Sequence, residues 1–94
     1  MGSSFRAVAT SRFERDVERL TKKDPRLLLA VQGLLLALAS DPYNIARRHN
    51  IKKLTGVKPG QGQWRIRSGS HRLRYDVLGN DVILYSFKHR REAY

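Results

Sequence analysis

The sequence predicts an α+β fold: one small domain in the order β-α-α-β-β-β, with a mostly antiparallel sheet and a helical hairpin packed on one face. Three observations lead there. The chain has 94 residues, enough for one hydrophobic core and not for two. Its first forty residues change from an alternating stretch to two helical stripes separated by Asp24-Pro25. Its last third holds three alternating runs split by Gly-containing turns, the pattern of a β-meander.

Taken in order, residues 5–10 (FRAVAT) set Phe5, Ala7 and Ala9 against Arg6 and Val8, a short first strand. Thr10 or Ser11 supplies an N-cap, with Glu14 three residues beyond Ser11 as in a capping box. Phe13, Val17 and Leu20 then fall on one helical stripe, and Glu14, Arg15, Glu18, Arg19 and Lys22 form the wet face. Asp24 as N-cap and Pro25 at the first helical position open a second helix. That helix runs through Leu28, Val31, Leu35 and Leu38 to Ser40-Asp41-Pro42. The helical hairpin therefore covers about 11–40. Gly33 inside it weakens the helix or admits another backbone.

Residues 43–62 lack a clean period and read as a basic connection with at most a short turn of structure. An antiparallel sheet follows over 63–88, with strands at 63–68, 72–78 and 82–88. Ser68-Gly69-Ser70-His71 and Gly79-Asn80 are the turns between them. No repeat and no low-complexity segment interrupts residues 1–94, which form a single domain.

Composition narrows the function. With no cysteine, disulfides, thiolate nucleophiles and zinc ribbons are excluded, which fits a reducing compartment. The apolar run LLLAVQGLLLALA is too short to cross a bilayer, and the N-terminus has no secretory h-region. The expectation is a soluble, cytoplasmic protein without a membrane partner. Net charge is +11: residues 1–41 carry seven Lys/Arg and five Asp/Glu (+2), and residues 42–94 carry twelve and three (+9). Such asymmetry points to a polyanionic partner, nucleic acid or an acidic protein; the plainer alternative is a solvated basic surface.

Alternation then says where the charge points. In 64–67, Trp64 and Ile66 share one face and leave Arg65 and Arg67 on the other. In 72–77, Leu73, Tyr75 and Val77 share a face and leave Arg72, Arg74 and Asp76 opposite. In a hairpin the two arginine pairs become neighbours, although like charges placed opposite each other destabilise a sheet. Arginine forks suit phosphate, so the cluster reads as a prepared anion site; the alternative is side chains lying along apolar surface with their heads in water. The terminal run Lys88-His89-Arg90-Arg91-Glu92-Ala93-Tyr94 adds cations and a tyrosine able to stack a base, or else is a solvated tail. His49, His71 and His89 have no acidic residue at ligand spacing, so no metal site is expected. No Gly-rich loop joins a strand to a helix, and Ser68 and Ser70 beside His71 are weak evidence for a nucleophile.

Three segments in this order resemble the RelE/ParE toxin superfamily: Lys53-Leu54-Thr55-Gly56, Trp64 to Tyr75 (WRIRSGSHRLRY), and His89 to Tyr94 (HRREAY). The resemblance implies a RelE-like fold and a toxin of a type II toxin–antitoxin module. On its RelE branch it implies an endoribonuclease that cuts mRNA in the ribosomal A site without a metal or other cofactor. Matched by position, it implies catalytic roles for Arg65, Arg67, Arg72, Arg90 and Tyr94. Lys52, Lys53, Arg74, Lys88 and Arg91 would hold RNA phosphates, with His89 as the acid or base or else structural. RelE-type sites often have lysine where this chain has Arg67, and arginine is a poor base because it hardly ever loses its proton. The ParE branch implies inhibition of DNA gyrase instead, and a third possibility is a non-catalytic relic that mainly binds its antitoxin. All three imply an acidic antitoxin as partner.

Overall fold

The computed structural model describes residues 4–92. Strand β1 (Arg6–Ala9) leads into helices α1 (Ser11–Lys23) and α2 (Leu27–Ser40). Four strands follow, β2 (Ile51–Lys53), β3 (Trp64–Ser68), β4 (His71–Leu78) and β5 (Asp81–His89). They form one five-stranded sheet in the order β1-β5-β4-β3-β2. β1 pairs with β5 in parallel, and the other three pairings are antiparallel.

The α+β class and the helical hairpin are as expected, while the sheet has one more strand. β2 lies inside the 43–62 stretch expected to be a bare connection. Three residues pair Ile51 with Ile66, Lys52 with Arg65 and Lys53 with Trp64. A strand this short and this rich in lysine shows no period, and those same features discourage edge-to-edge pairing with another chain.

Thr10 is the cap of α1: its Oγ1 accepts the Phe13 N–H at 3.2 Å and donates to the Leu84 carbonyl at 2.7 Å. One hydroxyl thus starts the helix and ties it to β5. Asp24 closes α1, its N–H donating to the Leu20 carbonyl, and its carboxylate accepts the Arg26 N–H at 3.2 Å. The first full turn of α2 therefore begins at Leu27, two residues later than the Asp-Pro signal suggests.

The core joins Phe13, Leu20, Val31, Leu34 and Leu38 of the helices to Ile66, Leu73, Tyr75, Val82, Leu84 and Phe87 of the sheet. Leu28, expected on the buried stripe of α2, is 50 % exposed, and Leu34 takes its place. α2 is apolar on every side, so period alone cannot choose its buried face. Tyr75 is fully buried and donates its hydroxyl to the Pro42 carbonyl at 2.6 Å, and burial pushes its pKa up.

β5 contains a bulge. Tyr75 pairs with Leu84 but Arg74 pairs with Ser86, so Tyr85 is the extra residue. Val82 and Leu84 face the core before the bulge and Phe87 faces it afterwards. Strict alternation from Val82 would have buried Ser86 and Lys88 among the hydrocarbon and expelled Phe87. The bulge delivers Ser86 and Lys88 to the opposite face. Among the described residues, no helix is long and apolar enough to cross a membrane.

Candidate nucleic-acid interface

The strand register builds two rungs of polar side chains on the face away from the helical hairpin. One runs Lys52, Arg65, Arg74, Ser86 across four strands; the other runs Arg67, Arg72, Lys88 across three. Neighbouring strands sit about 4.8 Å apart, so six cations share a small area. Between the rungs lies a cleft of about 230 Å³, lined among others by Arg65, Arg72, Arg74, Lys88, Ser86, Glu92 and Arg12. Arg12, at the start of α1, belongs to this site although nothing in its sequence context marks it. Only the fold brings the first turn of α1 to the sheet.

Local partners hold several of these like charges in place. Arg74 donates Nε and Nη2 to the Gly62 carbonyl at 3.1 and 2.9 Å. Arg67 donates Nε and Nη2 to the Asn50 side-chain oxygen at 3.0 and 2.8 Å, once that amide is oriented to match its neighbours. Lys88 faces Asp16 of α1, Nζ to Oδ1 at 3.4 Å. Arg65 differs: its Nε is buried and meets no acceptor among the described residues. A buried donor without an acceptor costs roughly 1–3 kcal/mol, and an anion in the cleft would supply what is missing.

The rim is shaped by Asp76, 7 % exposed. It accepts the N–H groups of Gly60 at 2.6 Å, Gln63 at 2.6 Å and Gly62 at 3.4 Å. Those bonds fold residues 58–63 onto the sheet beside Arg74. Gly62 has φ +82°, and a Cβ there would meet the Arg74 Cβ at 3.0 Å, so the loop closes this tightly only with glycine.

Not every expected residue gathers at the cleft. Lys53 pairs with Trp64 and places its Nζ 5.6 Å from the indole centroid, a cation–π contact on the helix side of the sheet. The bulge also turns His89 away from the arginines: its ring meets that of His71 edge-on at 5.2 Å, while His71 stacks on Phe87 at 5.3 Å. His89 Nδ1 accepts the Arg91 N–H at 3.2 Å. Burial, and then the neighbouring His89, push the His71 pKa down. Arg90 and Arg91 are exposed on the turn after β5, which the Arg90 N–H fastens to the Ser70 carbonyl at 2.7 Å. Glu92 lines the cleft and pairs with Arg19 at 2.8 Å. That hydrogen bond holds its carboxyl below the usual range. Tyr94 lies outside the described residues, and among those no cluster of three His, Cys, Asp or Glu could hold a metal ion.

The five-stranded mixed sheet backed by a helical hairpin is shared with chains of solved toxin–antitoxin complexes. The toxin–antitoxin complex RelBE2 of Mycobacterium tuberculosis contains a chain with this fold: TM-score 0.71, 24 % identity, 93 % of this chain and 99 % of that chain covered. The RelB–RelE antitoxin–toxin complex of Methanococcus jannaschii contains another, at TM-score 0.57 and 21 % identity, covering 93 % and 94 %. No curated protein matches the chain. The family model for the ParE toxin of the type II toxin–antitoxin system ParDE matches residues 8–94, and the chain belongs to that family, within the RelE/ParE superfamily of type II toxins.

Proposed function

We propose that this toxin is an endoribonuclease that cleaves mRNA, in the ribosomal A site, and that an acidic antitoxin segment silences it by lying over the arginine face. The observation that carries this reading is the pair of cationic rungs around a cleft whose central Arg65 keeps a buried, unanswered N–H. Cutting RNA beside its own 2′-hydroxyl requires that oxygen to lose a proton, the pentavalent phosphate to be stabilised, and the 5′-oxygen that leaves as the P–O5′ bond breaks to take up a proton. Fixed cations serve the first two needs, since they lower the hydroxyl's pKa and offset the charge that grows in the transition state; in this reading water takes the 2′-hydroxyl proton and returns one to the 5′-oxygen. Arg65, Arg72 and Lys88 line the cleft and are the expected phosphate ligands in this reading. Lys52, Arg67, Arg90 and Arg91 lie farther out, where they would follow the RNA backbone. A Tyr94 side chain stacked on a base would align the attacking oxygen.

A gyrase-directed reading is favoured by one observation, the ParE description of the matching family model. Primer extension on a reporter mRNA after brief induction separates the two, with Arg72→Ala alongside. Cuts confined to translated codons and lost in Arg72→Ala support the ribonuclease. Growth arrest with broken DNA and intact message would replace it with gyrase poisoning.

A further inference from the structure

Asp16 has no place in the chemistry above, yet it is an unexpected residue on its helix. It lies on the core side of α1 between Phe13 and Leu20, and only 7 % of it is exposed. A carboxylate so placed is costly unless its oxygens are satisfied. Pairing of β1 with β5 stops at Ala9 and Leu84, which leaves the rest of β5 with an open edge. Asp16 Oδ2 accepts the Phe87 N–H on that edge at 3.0 Å. A neutral amide or hydroxyl would do the same, so edge-capping does not account for a charge.

The charge has another use. Oδ1 faces the Lys88 ammonium at 3.4 Å, with Arg19 Nη2 at 3.7 Å on the same oxygen. Glu92, the other acid at the cleft, is held by Arg19 at 2.8 Å. Lys88 is therefore drawn by Asp16 to the α1 wall, on the edge of β5 away from Arg72, whose like charge across the ladder pushes the same way.

We propose that Asp16 is a positioning residue that fixes the Lys88 ammonium on the α1 side of the cleft, as a stationary cation for the scissile phosphate. This rests on the reading of the cleft as an RNA phosphate site. Without Asp16, the lysine would lose its fixed partner and swing into solvent on its flexible stem.

The test uses Asp16→Asn, which keeps an oxygen for the Phe87 N–H and removes the charge. Lys88→Gln and the double variant complete a cycle. Cleavage of message in a translating extract should fall between about tenfold and a hundredfold in Asp16→Asn, with KM nearly unchanged. The double variant should be no slower than Lys88→Gln alone. Additive losses would mean that Asp16 acts elsewhere, and would overturn the proposal. A second readout needs no activity: acetic anhydride at limiting concentration, with modified lysines mapped by mass spectrometry. Lys88 should acetylate several-fold more slowly than exposed Lys52, and Asp16→Asn should narrow that gap. A ratio indifferent to Asp16→Asn would overturn the proposal even if cleavage falls. A wild-type chain that cuts no RNA would instead sink the ribonuclease reading, with the acetylation ratio still deciding this one.

Discussion

The two faces of the sheet are built from the same strands and obey opposite rules. On the helix side, Ile66, Leu73, Val82, Leu84 and Phe87 are at most 2 % exposed and interlock with α1 and α2. On the other side, Arg65 stands opposite Arg74 and Arg67 opposite Arg72, where each pair repels. One face is held by mutual attraction within a core; the other is held residue by residue, through Asn50, the Gly62 carbonyl and Asp16. Core packing and surface charge are thus separated by parity along β3 and β4, and adjacent positions can be perturbed independently.

The largest effect should come from Ile66→Ala, which empties a fully packed site on the helix side and should cost about 2–5 kcal/mol. A shift of the urea midpoint at unchanged slope measures it. Its neighbour gives the complementary result. Arg65→Met keeps the aliphatic stem but removes a like charge and a buried unmatched donor. Stability should hold or rise by up to about 1 kcal/mol, while toxicity on induction is lost. A midpoint lowered as much as by Ile66→Ala would erase the distinction between the faces.

Asp76→Ala sharpens the comparison at the rim. Three N–H groups of residues 60–63 lose their acceptor, at roughly 2–3 kcal/mol in total once water relieves the more exposed ones. Amide hydrogen exchange should quicken at Gly60 and Gln63 and stay slow in the Val82–Leu84 segment. Uniform quickening would show that the loop and the core open together.

Acid provides the smallest test. His71 is flanked by His89, Asp24 and Glu92, and its pKa in the folded protein lies below that of a free imidazole. The unfolded chain therefore takes up that proton more readily. Stability from this group is full above about pH 6.5 and declines as pH falls toward the depressed value. Urea midpoints between pH 7.5 and 5.5 should show this decline, and His71→Gln should flatten it.

Much of the arginine face was legible in the sequence because alternation over Trp64–Arg67 and Arg72–Val77 is unbroken, so parity and the tight turn at Gly69 fix which side chains share a face. The family resemblance was legible in part for the same reason: its central segment, Trp64 to Tyr75, is the β3–β4 ladder itself. β2 was not, because three residues with two lysines carry no period. The buried face of α2 was ambiguous because leucines surround the helix, and Leu29 and Leu36 are 74 % and 73 % exposed. The direction of Lys88 and His89 depends on the bulge at Tyr85, which is a property of pairing and leaves no mark in composition. Arg12 and Asp16 enter the site through the packing of α1 against β5, a contact between residues more than seventy positions apart.

That separation has a consequence for synthesis. β1 finds its partner only when Asp81–Leu84 exist, and the cleft lacks Lys88 and Glu92 until β5 and the turn after it are made. A nascent chain can form the helical hairpin early, but long-range closure of the sheet must wait. The cationic cleft is therefore assembled only after β5 and the turn that follows it have joined the rest of the sheet.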